Sequence, residues 1–187
     1  MPEPVRIGIV GAESTGKTTL AAELASRLAQ DTGLRVVWVP ELLREWCDRA
    51  GRTPQAHEQA AILHAQHERI EAAAAMHDVV VCDTTALTTA VYSRLIFDDR
   101  SLDERAMALH SRMALTLLTA LDLPWVADGH QRDGEQVRAP VDTLLRELLL
   151  AQRLPWAVIA GQGPERLERA VNAVAPLLPP AGAWRRP

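Results

Sequence analysis

The chain has 187 residues, 48% of them hydrophobic and 24% charged, with a formal net charge of −4 at neutral pH. That length suits one domain with a sizeable core, and that composition excludes a disordered, collagen-like or coiled-coil chain. The negative balance argues against a general nucleic-acid binder, whose electrostatic footprint should be basic.

Residues 5–10 (VRIGIV) are a short β-branched run bounded by Gly11, and read as a buried strand. From 16 to 30, Leu20, Leu24 and Leu28 recur with small alanines at helical spacing, and Asp31-Thr32-Gly33 stops them. A second strand is expected over 34–39 (LRVVWV), ended by Pro40, and then a helix over 41–49 closed at Ala50-Gly51. The Ala-rich stretch 54–77 reads as a long helix with Pro54 at its start. Residues 78–82 (DVVVC) give a third strand, and helices follow over 85–97 and 102–112 around a polar turn at Asp98-Asp99-Arg100. The run 115–121 fits helix or strand by pattern alone; a loop over 122–140 rich in Gly, Asp and Arg favours a fourth strand. A helix over 141–154 would place Val141, Leu144, Leu145, Leu148 and Leu149 on one face. A fifth strand over 156–160, a last helix over 164–178 and a frayed tail complete the chain.

Strands alternating with helices imply one α/β domain with a mostly parallel sheet covered on both faces, its core over about 5–178. No run approaches 18 apolar residues, so no transmembrane helix is expected, and the N-terminus lacks the layout of a signal peptide. Cys47 and Cys82 are too few for a disulfide framework, which makes the cytoplasm the expected compartment.

The residues Gly11-Ala12-Glu13-Ser14-Thr15-Gly16-Lys17-Thr18 fit G-x-x-x-x-G-K-[ST] without a mismatch, between a predicted strand and a predicted helix. The glycines let consecutive N–H groups turn inward onto phosphate oxygens, and the helix N-terminus adds its partial charge to the same anion. Lys17 would reach the outer phosphates and Thr18 would ligate magnesium, so ATP with Mg2+ is expected over residues 11–18 and the adjoining Thr19. Lys17 is also the only lysine among 20 basic side chains. A planar guanidinium cannot replace the compact point charge that a phosphate loop needs, which gives this exception a cause.

In a doubly wound sheet, ligand groups gather at the carboxyl ends of strands. Glu41 and Arg44 follow the second strand, and Asp83 ends the third. Asp83 suits magnesium or the attacking hydroxyl, against the alternative of a helix N-cap; Glu41 suits a hydroxyl proton or a sugar diol, against a surface pair with Arg44. Arg132 and Arg138, in the long loop, suit a lid over the transferring phosphate, although a solvated loop also carries arginines. Trp46 and Trp125 are candidates to stack on a base, with core packing the competing use. His57, His64 and His67 invite a metal reading, but the sequence offers no third ligand, and a polar helix face accounts for them better.

The segments GAESTGKTTL, PELLREW, HAQH, VVVCDTTALTTAVY and PWVADGHQRDGEQVR resemble, in that order, the ribosylnicotinamide kinase domain of bacterial NadR proteins, over about residues 5–160. The resemblance implies a P-loop kinase fold, three-layered α/β/α with a five-stranded parallel sheet, related to nucleoside and nucleotide kinases. It also implies transfer of phosphate from ATP to the ribose 5′-hydroxyl of nicotinamide riboside. Carried over, residues 11–18 would cradle the phosphates, Asp83 would serve magnesium or the hydroxyl, and Glu41 and Arg44 would line the nucleoside site. Trp125, Asp128 and Arg132 would belong to the segment that closes on it. NadR kinase domains usually follow an adenylyltransferase domain, for which the position of Gly11 leaves no room, so a stand-alone domain is expected. His67 stands where the family suggests an aromatic. Two other readings stay open: a kinase for a different nucleoside or deoxynucleoside, and an ATP-binding regulatory switch.

Overall fold

The structure, a computed structural model, describes residues 3–126 and 134–178. Five strands, β1 (Val5–Val10), β2 (Val36–Val39), β3 (Val79–Asp83), β4 (Leu115–Thr119) and β5 (Trp156–Ile159), pair in parallel in the order β2-β3-β1-β4-β5. They are the five expected runs, shortened by one or two residues at four of their ten ends and lengthened by one at Asp83. The ambiguous run 115–121 is a strand over its first five residues, lodged between β1 and β5. Burial on both faces explains why β3 and β4 read as continuous runs without polar alternation, every residue of each being buried.

Helices α1 (Lys17–Thr32) and α7 (Gly163–Val174) cover one face, and α3 (Ala56–Ala74), α4 (Ala86–Phe97) and α6 (Arg138–Gln152) cover the other. The shorter α2 (Leu42–Ala50) and α5 (Asp103–His110) pack onto α3 and α4 respectively. The period of two along β1 sorts its side chains. Ile7 and Ile9 meet Leu20, Leu24 and Leu28 of α1, whereas Val10 meets Leu87, Val91, Val141, Leu145 and Leu149. Gly8 faces the second layer, where a Cβ would come to 2.9 Å from Thr85 Cγ2; the missing side chain lets the start of α4 approach the sheet.

Helix α6 begins three residues before the expected 141, after a short 3-10 turn at Glu135–Val137. Pro140 therefore lies inside its first turn, where a missing N–H costs no intrahelical bond. Helix α3 starts at Ala56, with the Gln55 N–H donating to Glu58 Oε2 at 2.8 Å. The last helix ends at Val174 and passes into a 3-10 turn at Ala175–Leu177. The tail expected to fray, residues 179–187, lies outside the described residues. Among the described residues, no helix is long and apolar enough to cross a membrane.

The chain leaves β1 toward the β2 edge and later returns to β4 on the opposite side. This opens a crevice above the carboxyl ends of the central strands, the usual ligand position in open α/β sheets.

Candidate functional site

The crevice is floored by the loop after β1. Gly11 has φ 155°, and a Cβ there would collide with Thr119 Oγ1, so no side chain fits. Ser14 at φ 53° and Gly16 at φ 73° turn the loop through left-handed conformations that chain the N–H groups around one concavity. The Thr15 hydroxyl lies 2.7 Å from both Ala12 O and Thr119 Oγ1, and Thr119 reaches Val10 O at 3.2 Å. Gly16 is the N-cap of α1 and offers no side-chain cap, nor does an acidic residue enter the first turn. The N-terminus of a 16-residue helix therefore keeps its donors and its positive end for an anion. Lys17 Nζ donates to Ala12 O at 2.8 Å, folded back over the concavity that phosphates would fill.

Thr18 and Asp83 meet as a pair, with Thr18 Oγ1 donating to Asp83 Oδ2 at 2.6 Å. Asp83 Oδ1 is buried and has no hydrogen-bond partner among the described residues. Burial raises the carboxyl's pKa above its ordinary value, outweighing the Thr18 bond and the charges of Lys17 and Arg44. The helix-cap alternative for Asp83 falls to another residue, since Thr85 Oγ1 accepts from Leu87 N at 3.3 Å and caps α4. Between them Thr84 sits at φ 68°, a costly conformation for a β-branched residue, held by a 3.0 Å bond from its N–H to Ile9 O.

Beside this pair opens a cavity of about 400 Å³. Of the residues expected at the site, Glu13, Ser14, Lys17, Glu41, Arg44 and Trp125 line it. Glu41 Oε2 and Arg44 Nε are 4.0 Å apart, so the i,i+3 pair and the cavity placement hold together. The far wall comes from α3 and α4 through Gln59, Thr88, Tyr92 and Phe97, none of which the sequence reading singled out. Thr88 and Tyr92 lie one helical turn apart, but Thr89 and Ser93 share that spacing in the same helix, so the pattern alone does not select them. Tyr92 and Phe97 are also the chain's only tyrosine and phenylalanine.

Other candidates lie elsewhere. Arg138 does not line the cavity: it is buried, and its Nη2 donates to Leu123 O at 2.8 Å. The early start of α6 makes it the first helical residue and turns it against the chain leaving β4. Trp46 stands off the cavity under the Arg52 guanidinium, 5.0 Å from its ring centroid. No group of three or more His, Cys, Asp and Glu able to hold a metal occurs among the described residues, and His64 Nδ1 lies 3.2 Å from Arg105 Nη2. His67 is off the cavity too, and burial holds its pKa below the ordinary value. Asp128 and Arg132 lie outside the described residues.

Two ties bind the loop to distant chain. Ser14 Oγ donates to Val126 O at 2.6 Å, docking the segment that carries Trp125. Arg166 of α7 donates to Thr15 O at 2.6 Å, a contact across 151 positions that no local pattern announces.

A family model described as an AAA domain matches residues 6–166. Among solved structures, the NadR protein in complex with NR superposes with a TM-score of 0.75 at 20% identity, over 98% of this chain and 52% of that one. NadR in complex with NAD and AMP-PNP gives 0.71 at 22% identity, over 92% and 49%. Thymidylate kinase from Ehrlichia chaffeensis gives 0.67 at 16% identity, over 92% and 99%. The chain spans about half the length of the two NadR chains. No curated protein matches its sequence at a significant level. At these identities the likeness is one of fold, and the fold is the expected three-layered one of P-loop nucleoside and nucleotide kinases.

Proposed function

Because the chain belongs to the AAA-domain family, we propose that it is an ATP-dependent kinase that phosphorylates the ribose 5′-hydroxyl of a nucleoside, nicotinamide riboside first among candidates. The observation that carries this reading is one cavity of about 400 Å³ in which Lys17 of the phosphate loop shares walls with Glu41, Arg44 and Trp125. That volume admits a nucleoside beside the phosphate chain of a nucleotide. The order of sequence segments shared with NadR kinase domains, and the likeness of fold to a NadR protein in complex with NR, support nicotinamide riboside over other nucleosides.

Residues 5–178 would act as one kinase domain. The loop from Gly11 to Thr18, with Thr19 behind it, would hold ATP. Magnesium fits the Thr18–Asp83 pair: both offer hard oxygen ligands, and Asp83 Oδ1 is buried without a partner among the described residues. When bound, it would neutralise charge on the phosphate oxygens. Lys17 would leave Ala12 O for the outer phosphates and stabilise the charge spread over the equatorial oxygens in the transition state. Glu41 would accept a hydrogen bond from the 5′-hydroxyl and take its proton as the new O–P bond forms and the bond to ADP breaks. Trp125 offers a flat face to the base, and Arg44 orients Glu41.

The test is incubation of the purified protein with Mg-ATP and a panel of nucleosides and deoxynucleosides that includes nicotinamide riboside. Expected is phosphorylated nicotinamide riboside, reduced on the order of 10³-fold in Lys17→Ala. Turnover of another nucleoside alone overturns the substrate. ATP binding with no acceptor in the panel overturns the kinase in favour of a nucleotide-reading switch.

A further inference from the structure

The Thr15 carbonyl lies immediately ahead of Gly16, the N-cap of α1, and its partner comes from the last helix. Arg166 is only 5% exposed. Its Nη2 donates to Thr15 O at 2.6 Å, and its Nη1 donates to Asp122 Oδ1 at 2.9 Å and Gly161 O at 2.8 Å. Asp122 Oδ2 in turn accepts from the Gly161 N–H at 2.6 Å. The segments following β4 and β5 and the phosphate loop thus converge on one guanidinium. Burial works to raise the Asp122 pKa, but the Gly161 and Arg166 bonds outweigh it and hold it below the ordinary value.

A purely structural role explains this arrangement poorly. Taking a guanidinium out of water is costly, and a well-packed apolar residue usually serves stability as well or better. Moreover, Arg166 Nε is buried with no hydrogen-bond partner among the described residues, while the two terminal nitrogens make three bonds between them. What is gained lies in the peptide that joins Thr15 to Gly16. The described chain contains no cis peptide, so the carbonyl and the N–H of that unit point in opposite directions. Gly16 carries no Cβ to resist rotation of the unit, and its φ of 73° is one of several conformations open to glycine. A clamp on the carbonyl removes that freedom.

We propose that Arg166 is a positioning residue for phosphate binding. By holding the Thr15 carbonyl outward, it presents the Gly16 N–H to the phosphate concavity before nucleotide arrives. Asp122 and Gly161 O keep the guanidinium in place, so the ends of β4 and β5 share in shaping the loop. This rests on the nucleotide reading of the phosphate loop, but not on which nucleoside accepts the phosphoryl group.

The test is calorimetric titration of the full chain with Mg-ADP, well below each variant's melting temperature, for wild type, Lys17→Ala, Arg166→Met and Arg166→Lys. Loss of a charge-assisted bond that pre-orders the loop should weaken Mg-ADP by about 10- to 100-fold in Arg166→Met, with partial recovery in Arg166→Lys. A merely structural role would lower the melting temperature and leave the affinity of the folded protein unchanged. Affinity within twofold of wild type in both Arg166 variants, with Lys17→Ala weakened, overturns the inference alone. Undiminished affinity in Lys17→Ala overturns the nucleotide reading beneath it. Should Arg166→Met not fold, Arg166→Lys and hydrogen exchange on the wild type decide. Mg-ADP is expected to slow exchange over residues 161–166 together with 11–18, and unchanged exchange over 161–166 refutes the tie.

Discussion

Asp83 and Thr85 stand two residues apart at the end of β3 and are both 1% exposed, yet their surroundings are opposite. Thr85 belongs to a completed chain: its hydroxyl accepts from Leu87 N–H and meets His110 Nδ1 at 2.9 Å, and His110 Nε2 meets Thr116 Oγ1 at 2.9 Å. A neutral imidazole gives every group in that chain at least one partner, one ring nitrogen donating and the other accepting. Burial pushes the His110 pKa down to about 4, so the ring stays uncharged at neutral pH and ties α5 to the sheet and to the cap of α4. Asp83 has one oxygen on Thr18 and the other on nothing among the described residues, and its charge is disfavoured where it lies. A satisfied buried polar chain is architecture, whereas the unsatisfied carboxylate of Asp83 is the observation on which the proposed magnesium site rests.

The sharpest way to break this contrast is Asp83→Asn. Turnover should fall on the order of 10²- to 10³-fold, while the thermal midpoint should rise, because a buried charge has been removed. A fall in both quantities would make Asp83 structural like its neighbour. His110→Leu should do the reverse. Two buried hydroxyls each lose a partner, which costs about 2 to 4 kcal/mol in urea unfolding, with the proposed turnover of the folded protein nearly unchanged.

The same pair predicts opposite responses to acid. The folded pKa of His110 is depressed from 6.5 to about 4, so the unfolded state takes up a proton first. Its contribution is fully present above pH 6.5 and is lost as pH falls toward 4, up to roughly 3 kcal/mol. For Asp83 the folded pKa is raised, so its contribution favours the fold at low pH and is lost as pH rises through the folded pKa. Unfolding measured at pH 7 and pH 4.5 should show the acid loss in wild type and a smaller one in His110→Leu; equal losses would remove His110 from the account. The smallest effect is expected at Glu41→Gln, where the hydroxyl is still held but loses its proton acceptor, which a loose phosphoryl transition state needs only weakly. A roughly tenfold fall in kcat/KM for the nucleoside should leave the affinity for Mg-ADP unaltered.

How much was legible in the sequence follows from how each part is built. Gly11 to Thr18 could be read directly because a phosphate cradle consists of consecutive backbone N–H groups, so its specification is contiguous. Glu41, Arg44 and Trp125 could be placed at the cavity because strand ends in a parallel sheet share one edge, and naming the strands names the edge. Gln59, Thr88 and Tyr92 were not, since facing a cavity depends on the rotation of α3 and α4 against each other. Arg138 resembled a loop cation until the helix around it began three residues early and turned it inward.

The sequence by itself determined the five strands, the alternation that makes their sheet parallel, and the position of the single lysine in the phosphate loop. Each is a local matter, of apolar runs long enough to be buried on both faces and of residue types that a tight anion-binding turn requires. Only the tertiary structure decided which buried polar groups would be satisfied. His110 found Thr85 and Thr116, Arg166 found Thr15 across 151 positions, and Asp83 Oδ1 found no partner among the described residues. Hydrogen bonds between distant segments depend on ångström-scale placement of whole elements, which no run of neighbouring residues records.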